Sequence, residues 1–298
     1  MISHSIRLAL PDGGVSHIRH WRRSGAGPAG STACLLIHGF GESSCSWSDY
    51  AAALTSYDDI YAVDLRGHGD SSRDPIAQYT LPSFVGDLDH VVDMLRLGDF
   101  VLVGHSLGGD IALSLASRYP GRVRAVVLVD FAPELNPVGL QKVCADLGAN
   151  LRVFESHAQF VDAATRARPL LSADIAARFA QDMLDEVAGV GFVMKVDPVF
   201  GEFAPADLQS PARSAAAWDK LRALACPLLL VRGTMSSVLA RDAAERSVRA
   251  ARDGTLREVR AGHAVMQDNP KAFLDATVPF HDALRAARGS GQVPAPQG

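Results

Sequence analysis

The chain has 298 residues, 48% of them hydrophobic, which is enough to bury a large core in one domain or in a domain carrying an insertion. Its formal net charge is −4 with acidic and basic residues interleaved, which excludes a strongly basic nucleic-acid surface and leaves small-molecule chemistry as the expectation. Cys34, Cys45, Cys144 and Cys226 have neither CxxC nor zinc-ligand spacing, so reduced thiols are expected.

The N-terminal "MISHSIRLALPDGG" lacks the basic and then apolar pattern of an export signal, and no run approaches the ~18 apolar residues of a bilayer span. A cytoplasmic protein without membrane association is the expectation. Eight β-like runs follow in order: "IRLALP", "VSHIRHWR", "ACLLIHG", "DIYAVDL", "FVLVGHS", "AVVLVDFAP", "PLLLVRG" and "LREVRAGH". From the third onward they are almost continuously apolar, as strands of a central parallel sheet covered on both faces are. Amphipathic helical segments alternate with them, among them "TLPSFVGDLDHVVDMLRLG", "GGDIALSLASRYPG" and "ARDAAERSVRAARDG". The alternation predicts an α/β fold.

One interval departs from this rhythm. Between "VDFAP" and "WDKLRALACPLLLV" lie about 80 residues of helical patterning without a buried strand, too many for a simple crossover. Residues 135–215 are therefore expected to be a helical insertion over the sheet, with 1–134 and 216–288 as the core. The Gly-, Pro- and Gln-rich 289–298 is expected to be a disordered tail. No internal repeat is present, and nothing in the sequence fixes an oligomeric state.

The stretch "VLVGHSLGGDI" carries the chemistry. A buried-type strand ends in Gly-His-Ser-Leu-Gly and an amphipathic helix begins, so Ser106 must sit in a strained strand-to-helix turn. Gly104 and Gly108 supply the room, and the serine is pushed out at the C-terminal edge of the sheet, beside the positive end of the helix.

With "HGFGESSCSW", "DLRGHGDS", "VGHSLGG", "VLVDFAPE" and "AGHAVMQDNP" in this order, the chain resembles the α/β-hydrolase fold enzymes that carry a helical cap. The resemblance implies a mostly parallel eight-stranded sheet flanked by helices, with the cap inserted. A serine hydroxyl needs a base; by the resemblance that base is His263, in "AGHAVMQDNP". The oxyanion of an acyl-transfer transition state needs donors already aimed at it. In the family these are two backbone amides, here the N–H groups of Leu107 and Phe40. The Phe40 ring can also line an apolar pocket.

The acid of the triad departs from the commonest family pattern. The loop after the seventh strand reads "VRGTMSSVLARD", with Ser236 and Ser237 where a carboxylate is expected. Asp130, at the end of the sixth strand as in some family members, is favoured, and Asp242 is the weaker alternative. His105 is expected to pack, His38 and His68 to brace loops, and Asp64 and Arg66 to form a loop-bracing pair. Asp110 is expected in the first turn of the helix after Ser106. Met183, Phe192, Met194 and Trp218 are candidates for lining a pocket as well as for ordinary packing.

The function implied is a cofactor-free serine hydrolase acting on an ester, thioester or lactone of a small molecule through an acyl-enzyme. No clustered metal ligands and no GxGxxG nucleotide turn are present. The same residues also serve carbon–carbon bond hydrolysis, perhydrolysis and acyl transfer, and a ligand-binding member without turnover is the non-catalytic alternative. Serine at position 106 argues against the aspartate-nucleophile chemistry of this fold.

Overall fold

The computed structural model describes residues 2–23 and 32–289. All eight β-like runs become strands of one sheet. In chain order the first half comprises β1 (Ile2–Ala9), β2 (Val15–Arg22), β3 (Ala33–Ile37), α1 (Ser48–Ala53), β4 (Asp59–Val63), α2 (Leu81–Met94), β5 (Phe100–His105), α3 (Leu107–Arg118) and β6 (Val123–Val129). The second half comprises α4 (Pro137–Asn150), α5 (His157–Ala167), α6 (Ala173–Met183), β7 (Leu184–Val187), β8 (Gly191–Met194), α7 (Pro205–Leu208), α8 (Pro211–Arg222), β9 (Leu228–Gly233), α9 (Arg241–Ala250), β10 (Gly254–Val259), α10 (Val265–Asp268) and α11 (Pro270–Gly289). The expected disordered tail lies, beyond Gly289, outside the described residues; Gly289 itself closes α11.

The sheet order is β1-β2-β4-β3-β5-β6-β9-β10, and β2 alone runs antiparallel to its neighbours. β3, β5 and β9 are buried along their whole length. The reason is visible in the alternation of their side chains. Leu35, Ile37, Leu102, Leu128 and Leu230 pack on one face with α2, α3, α8 and α9, while Leu36, Val101, Val103, Val127 and Val231 pack on the other with α1 and α11. Both faces are thus apolar, and each fully buried Leu, Ile or Val contributes about 1.5–3 kcal/mol. The C-terminal ends of β3, β5, β6, β9 and β10 consequently lie side by side along one edge.

Between β6 and β9 the chain adds no strand to this sheet. Three helices expected from the sequence are α4, α5 and α6. Their starts are fixed by Asn136, Ser156 and Ser172, whose side chains accept from Val138, Gln159 and Ile175 N–H. The β7–β8 hairpin is a difference from the sequence reading. It buries little beyond Leu184 and Met194, leaving Val187 and Val190 exposed, so it lacks the apolar run that marks a core strand. The expected junction at 215/216 falls inside α8. This stretch is tied to the loop after β4 by backbone bonds from Gly69 N–H to Lys195 O (2.7 Å) and from Asp197 N–H to Gly67 O (2.8 Å).

Candidate active site

Ser106 occupies the turn between β5 and α3 with φ 51° and ψ −117°, a strained conformation for a residue with a Cβ. The strain is enforced by close packing on both sides. A Cβ on Gly104 would lie 2.1 Å from Gly108 O, and one on Gly108 would lie 2.2 Å from Ile37 O, so only glycine lets α3 start this close to β3 and β5. A serine ahead of a helix usually caps it; here the hydroxyl makes no cap bond. It is turned instead toward His263.

The hydroxyl of Ser106 donates to His263 Nε2 (3.0 Å), and His263 Nδ1–H donates to Asp130 Oδ2 (2.8 Å). The carboxylate on Nδ1 selects the tautomer that leaves Nε2 as the acceptor. Asp130 follows β6 with φ 47° and is fully buried. Its desolvation is offset by two further donors: Gly233 N–H to Oδ1 (2.9 Å) and Ser236 Oγ to Oδ2 (2.5 Å). Ser236, in the loop after β9, therefore holds the carboxylate that stands at the neighbouring strand end. Ser236 in turn accepts from Val238 and Leu239 N–H, which fixes its loop. Asp242 is elsewhere, on the exposed side of α9 and paired with Arg246.

Phe40 lies in the loop after β3, and Leu107 is the first residue of α3, where a helix leaves its N–H groups without intrahelical partners. The Phe40 ring packs edge-on against Phe200 (5.3 Å) and stacks on Phe203 (5.6 Å), so it serves as apolar lining. Two neutral histidines brace this loop. His38 Nδ1–H donates to Gly39 O while its Nε2 accepts from Leu65 N–H; His68 Nδ1–H donates to Arg66 O while its Nε2 accepts from Gly41 N–H. Burial pushes both below the ordinary histidine value, His68 to about 3.

A cavity of about 440 Å³ opens over Ser106 and His263, within the size range of small-molecule sites. Met183 and Met194 line it as expected, with Leu147, Phe160 and Phe179. Phe192 instead packs on His157, and the Trp218 indole N–H donates to Glu134. Asp64 and Arg66 do not pair with each other. Asp64 accepts from His17, Ser44 N–H and Asp70 N–H, whereas Arg66 holds Asp12, Asp74 and Asp87. Asp110 sits in the first turn of α3, where it binds Arg213 of α8 (2.6 Å). Among the described residues, His17, Asp64 and Asp70 are close enough together to suit a cation, but none of them lines the cavity, and the Asp64 oxygens are already taken by donors. No helix of the described residues is long and apolar enough to cross a membrane.

The sequence reading missed a polar row in the wall of the cavity. Glu42 accepts from His105, Gly39 N–H and Gln267, and Gln267 accepts from Arg168. Arg168 also reaches Asp268, whose other oxygen accepts from Gly262 N–H. The only sequence signal was an acidic residue within "HGFGES" and a histidine beside the serine, and neither residue type identifies its partner.

The family model described as "Alpha/beta hydrolase family" matches residues 34–276. The chain is 30% identical over 264 residues to 2-(acetamidomethylene)succinate hydrolase of Mesorhizobium japonicum, spanning 88% of this chain and 91% of that one. It is 29% identical over 250 residues to an esterase of Mycobacterium tuberculosis, spanning 81% and 80%. The crystal structure of E-2-(acetamidomethylene)succinate hydrolase superposes with a TM-score of 0.83 at 26% identity, covering 94% of this chain and 100% of that one. An alpha/beta hydrolase from Novosphingobium aromaticivorans gives 0.81 at 24% identity, over 94% and 98%, a likeness of fold.

Proposed function

The chain belongs to the alpha/beta hydrolase family, and from that premise we propose that it is a cofactor-free serine hydrolase of a small carbonyl substrate, an ester, thioester or lactone. The observation that carries this reading is the unbroken row from Ser106 through His263 to buried Asp130, at 3.0 and 2.8 Å.

Ser106 Oγ attacks the carbonyl carbon while its proton passes to His263 Nε2. The imidazolium so formed is stabilised by Asp130, which keeps its charge. The former carbonyl oxygen, now negative, accepts from the Leu107 and Phe40 N–H groups. His263 then gives its proton to the leaving oxygen or sulfur as that bond breaks. Water attacks the acyl-enzyme, losing a proton to His263, and the acid departs as the proton returns to Ser106. Residues 135–215 act as the cap, and the apolar side chains they place over Ser106 favour an acyl group of small or medium size with apolar character.

Ser106→Ala is expected to remove essentially all hydrolysis of a short p-nitrophenyl ester, by about 10⁴-fold or more in kcat, while the melting temperature stays within a few degrees. Undiminished turnover in a preparation free of host esterases would contradict the reading.

A further inference from the structure

We propose that Glu42 and His105 form a charged clamp that fixes the spacing between His263 and the loop carrying Phe40, so that both are positioning residues for the hydrolysis. The proposal rests on the serine-hydrolase reading and deepens it. Its basis is a count of donors and acceptors. His105 Nδ1 lies 3.0 Å from Glu42 Oε2, and His105 Nε2 lies 3.0 Å from the backbone oxygen of His263. Glu42 itself meets further donors, Gly39 N–H on Oε2 (3.0 Å) and Gln267 Nε2 on Oε1 (2.7 Å). A carboxyl surrounded by donors is ionised. Both ring nitrogens of His105 therefore face acceptors, which only the doubly protonated imidazolium satisfies.

One ion pair thus touches both halves of the site. Its cation holds the main chain of the base, and its anion holds Gly39, immediately before Phe40. Gly39 shows how close the fit is, since a Cβ there would lie 2.6 Å from His105 Nδ1. The pair is linked to residues 135–215 through Gln267, which accepts from Arg168 (2.6 Å). The titratable groups facing His105 are Glu42 and His38 from the segment after β3, Asp130 from the end of β6, and His263 from the loop after β10, its ring centroid 4.8 Å away.

Protonation agrees with the geometry. Burial opposes the charge on His105, but the Glu42 carboxylate and its hydrogen bond, together with the Asp130 carboxylate and the His263 carbonyl, raise the imidazole above its ordinary 6.5. Burial likewise pushes the Glu42 carboxyl up, and the His105 charge together with the hydrogen bonds from His105 and Gly39 N–H offsets it, holding the carboxyl down at about 2. A raised histidine keeps its proton as pH climbs past the ordinary value and loses it at the higher one. The clamp therefore fails on the alkaline side.

The test joins nitrogen NMR of the histidine rings with kinetics of Glu42→Gln and Glu42→Asp, Ser106→Ala being measured beside them. In the wild-type protein at pH 7, His105 is expected to be protonated on both ring nitrogens. Glu42→Gln is expected to lower kcat by about 10- to 100-fold with KM changed by less than about threefold, and to move the alkaline limb of the kcat profile to lower pH. Glu42→Asp keeps the charge and is expected to recover part of kcat and the position of that limb. A neutral His105 at pH 7, or a folded Glu42→Gln protein with wild-type kcat and pH profile beside an inactive Ser106→Ala, overturns the clamp alone. Activity surviving in Ser106→Ala defeats the serine-hydrolase reading on which the clamp depends.

Discussion

Three donors converge on the buried carboxylate of Asp130, and they are not equivalent: Gly233 N–H supports Oδ1, while Ser236 and His263 share Oδ2. An amide at this position would confront the His263 N–H with a second donor or force the other tautomer, removing the acceptor from Ser106. Asp130→Asn is therefore expected to lower kcat by about 10⁴-fold, and Ser236→Ala, which leaves the charge in place, by about three- to tenfold with KM unchanged. Steady-state kinetics of the two folded variants checks the order. A Ser236→Ala loss as large as that of Asp130→Asn would show the hydroxyl, not the carboxylate, to be the essential group. The turn at Ser106 was legible in the sequence because so tight a passage demands glycines, whereas His263 was singled out by the resemblance of "AGHAVMQDNP" to the family's histidine segment. Asp130 was favoured because "VRGTMSSVLARD" lacks a carboxylate where the family commonly has one and some members carry it at the sixth strand end, and the structure brings it to 2.8 Å from His263 Nδ1. The part played by Ser236 was not legible, since a hydroxyl can serve either side of a hydrogen bond and so names no partner.

At the level of elements, the site depends on how closely α3 approaches β3 and β5. The contacts that forbid a Cβ at Gly108 are main-chain atoms of Ile37 and His38, which cannot turn aside as a side chain can. Gly108→Ala is accordingly expected to destabilise the fold by about 2–4 kcal/mol, read as a lower denaturation midpoint, and to lower activity even where the protein remains folded, because β3 leads directly into the Phe40 loop. A variant with unchanged midpoint and kcat would show that this approach is looser than described. The central strands β3 to β6 and β9 were readable because both faces of each are covered, which leaves an almost uninterrupted apolar run, whereas β10, expected to be of the same kind, is half-exposed. β7 and β8 were not readable, since a short hairpin with half-exposed faces carries neither that run nor a long alternation. The partners of Asp64 and Arg66 escaped for a related reason: proximity in sequence suggested a pair, whereas the fold gives Asp64 to His17 on β2 and Arg66 to Asp87 on α2.

For the molecule as a whole, buried ionisable groups set a narrow range of stability. Burial lowers His38, His68 and His281, the last two to about 3, so below about 6.5 the unfolded chain binds protons that the native protein refuses. Stability therefore falls with pH, by up to about 4 kcal/mol per unit if three such rings respond together. Burial pushes Asp64 and Glu42 up, but the hydrogen bonds from His17, Ser44 and Asp70 on the first and the charge and hydrogen bond of His105 on the second help hold both at about 2, and they extend that decline below pH 4. His105 is shifted the other way, and its contribution is lost as pH rises through its raised value. Urea denaturation between pH 4 and 9 is expected to show greatest stability near neutrality; a flat profile between pH 6.5 and 5 would contradict the neutral burial of these rings. Activation of Ser106 by His263 is tested most directly by the rate at which a fluorophosphonate attaches to the folded protein, with the adduct located by peptide mass spectrometry. A single adduct on Ser106, formed rapidly in the wild type and far more slowly in His263→Ala, is the predicted result. No adduct on Ser106, or equal rates with and without His263, would contradict it.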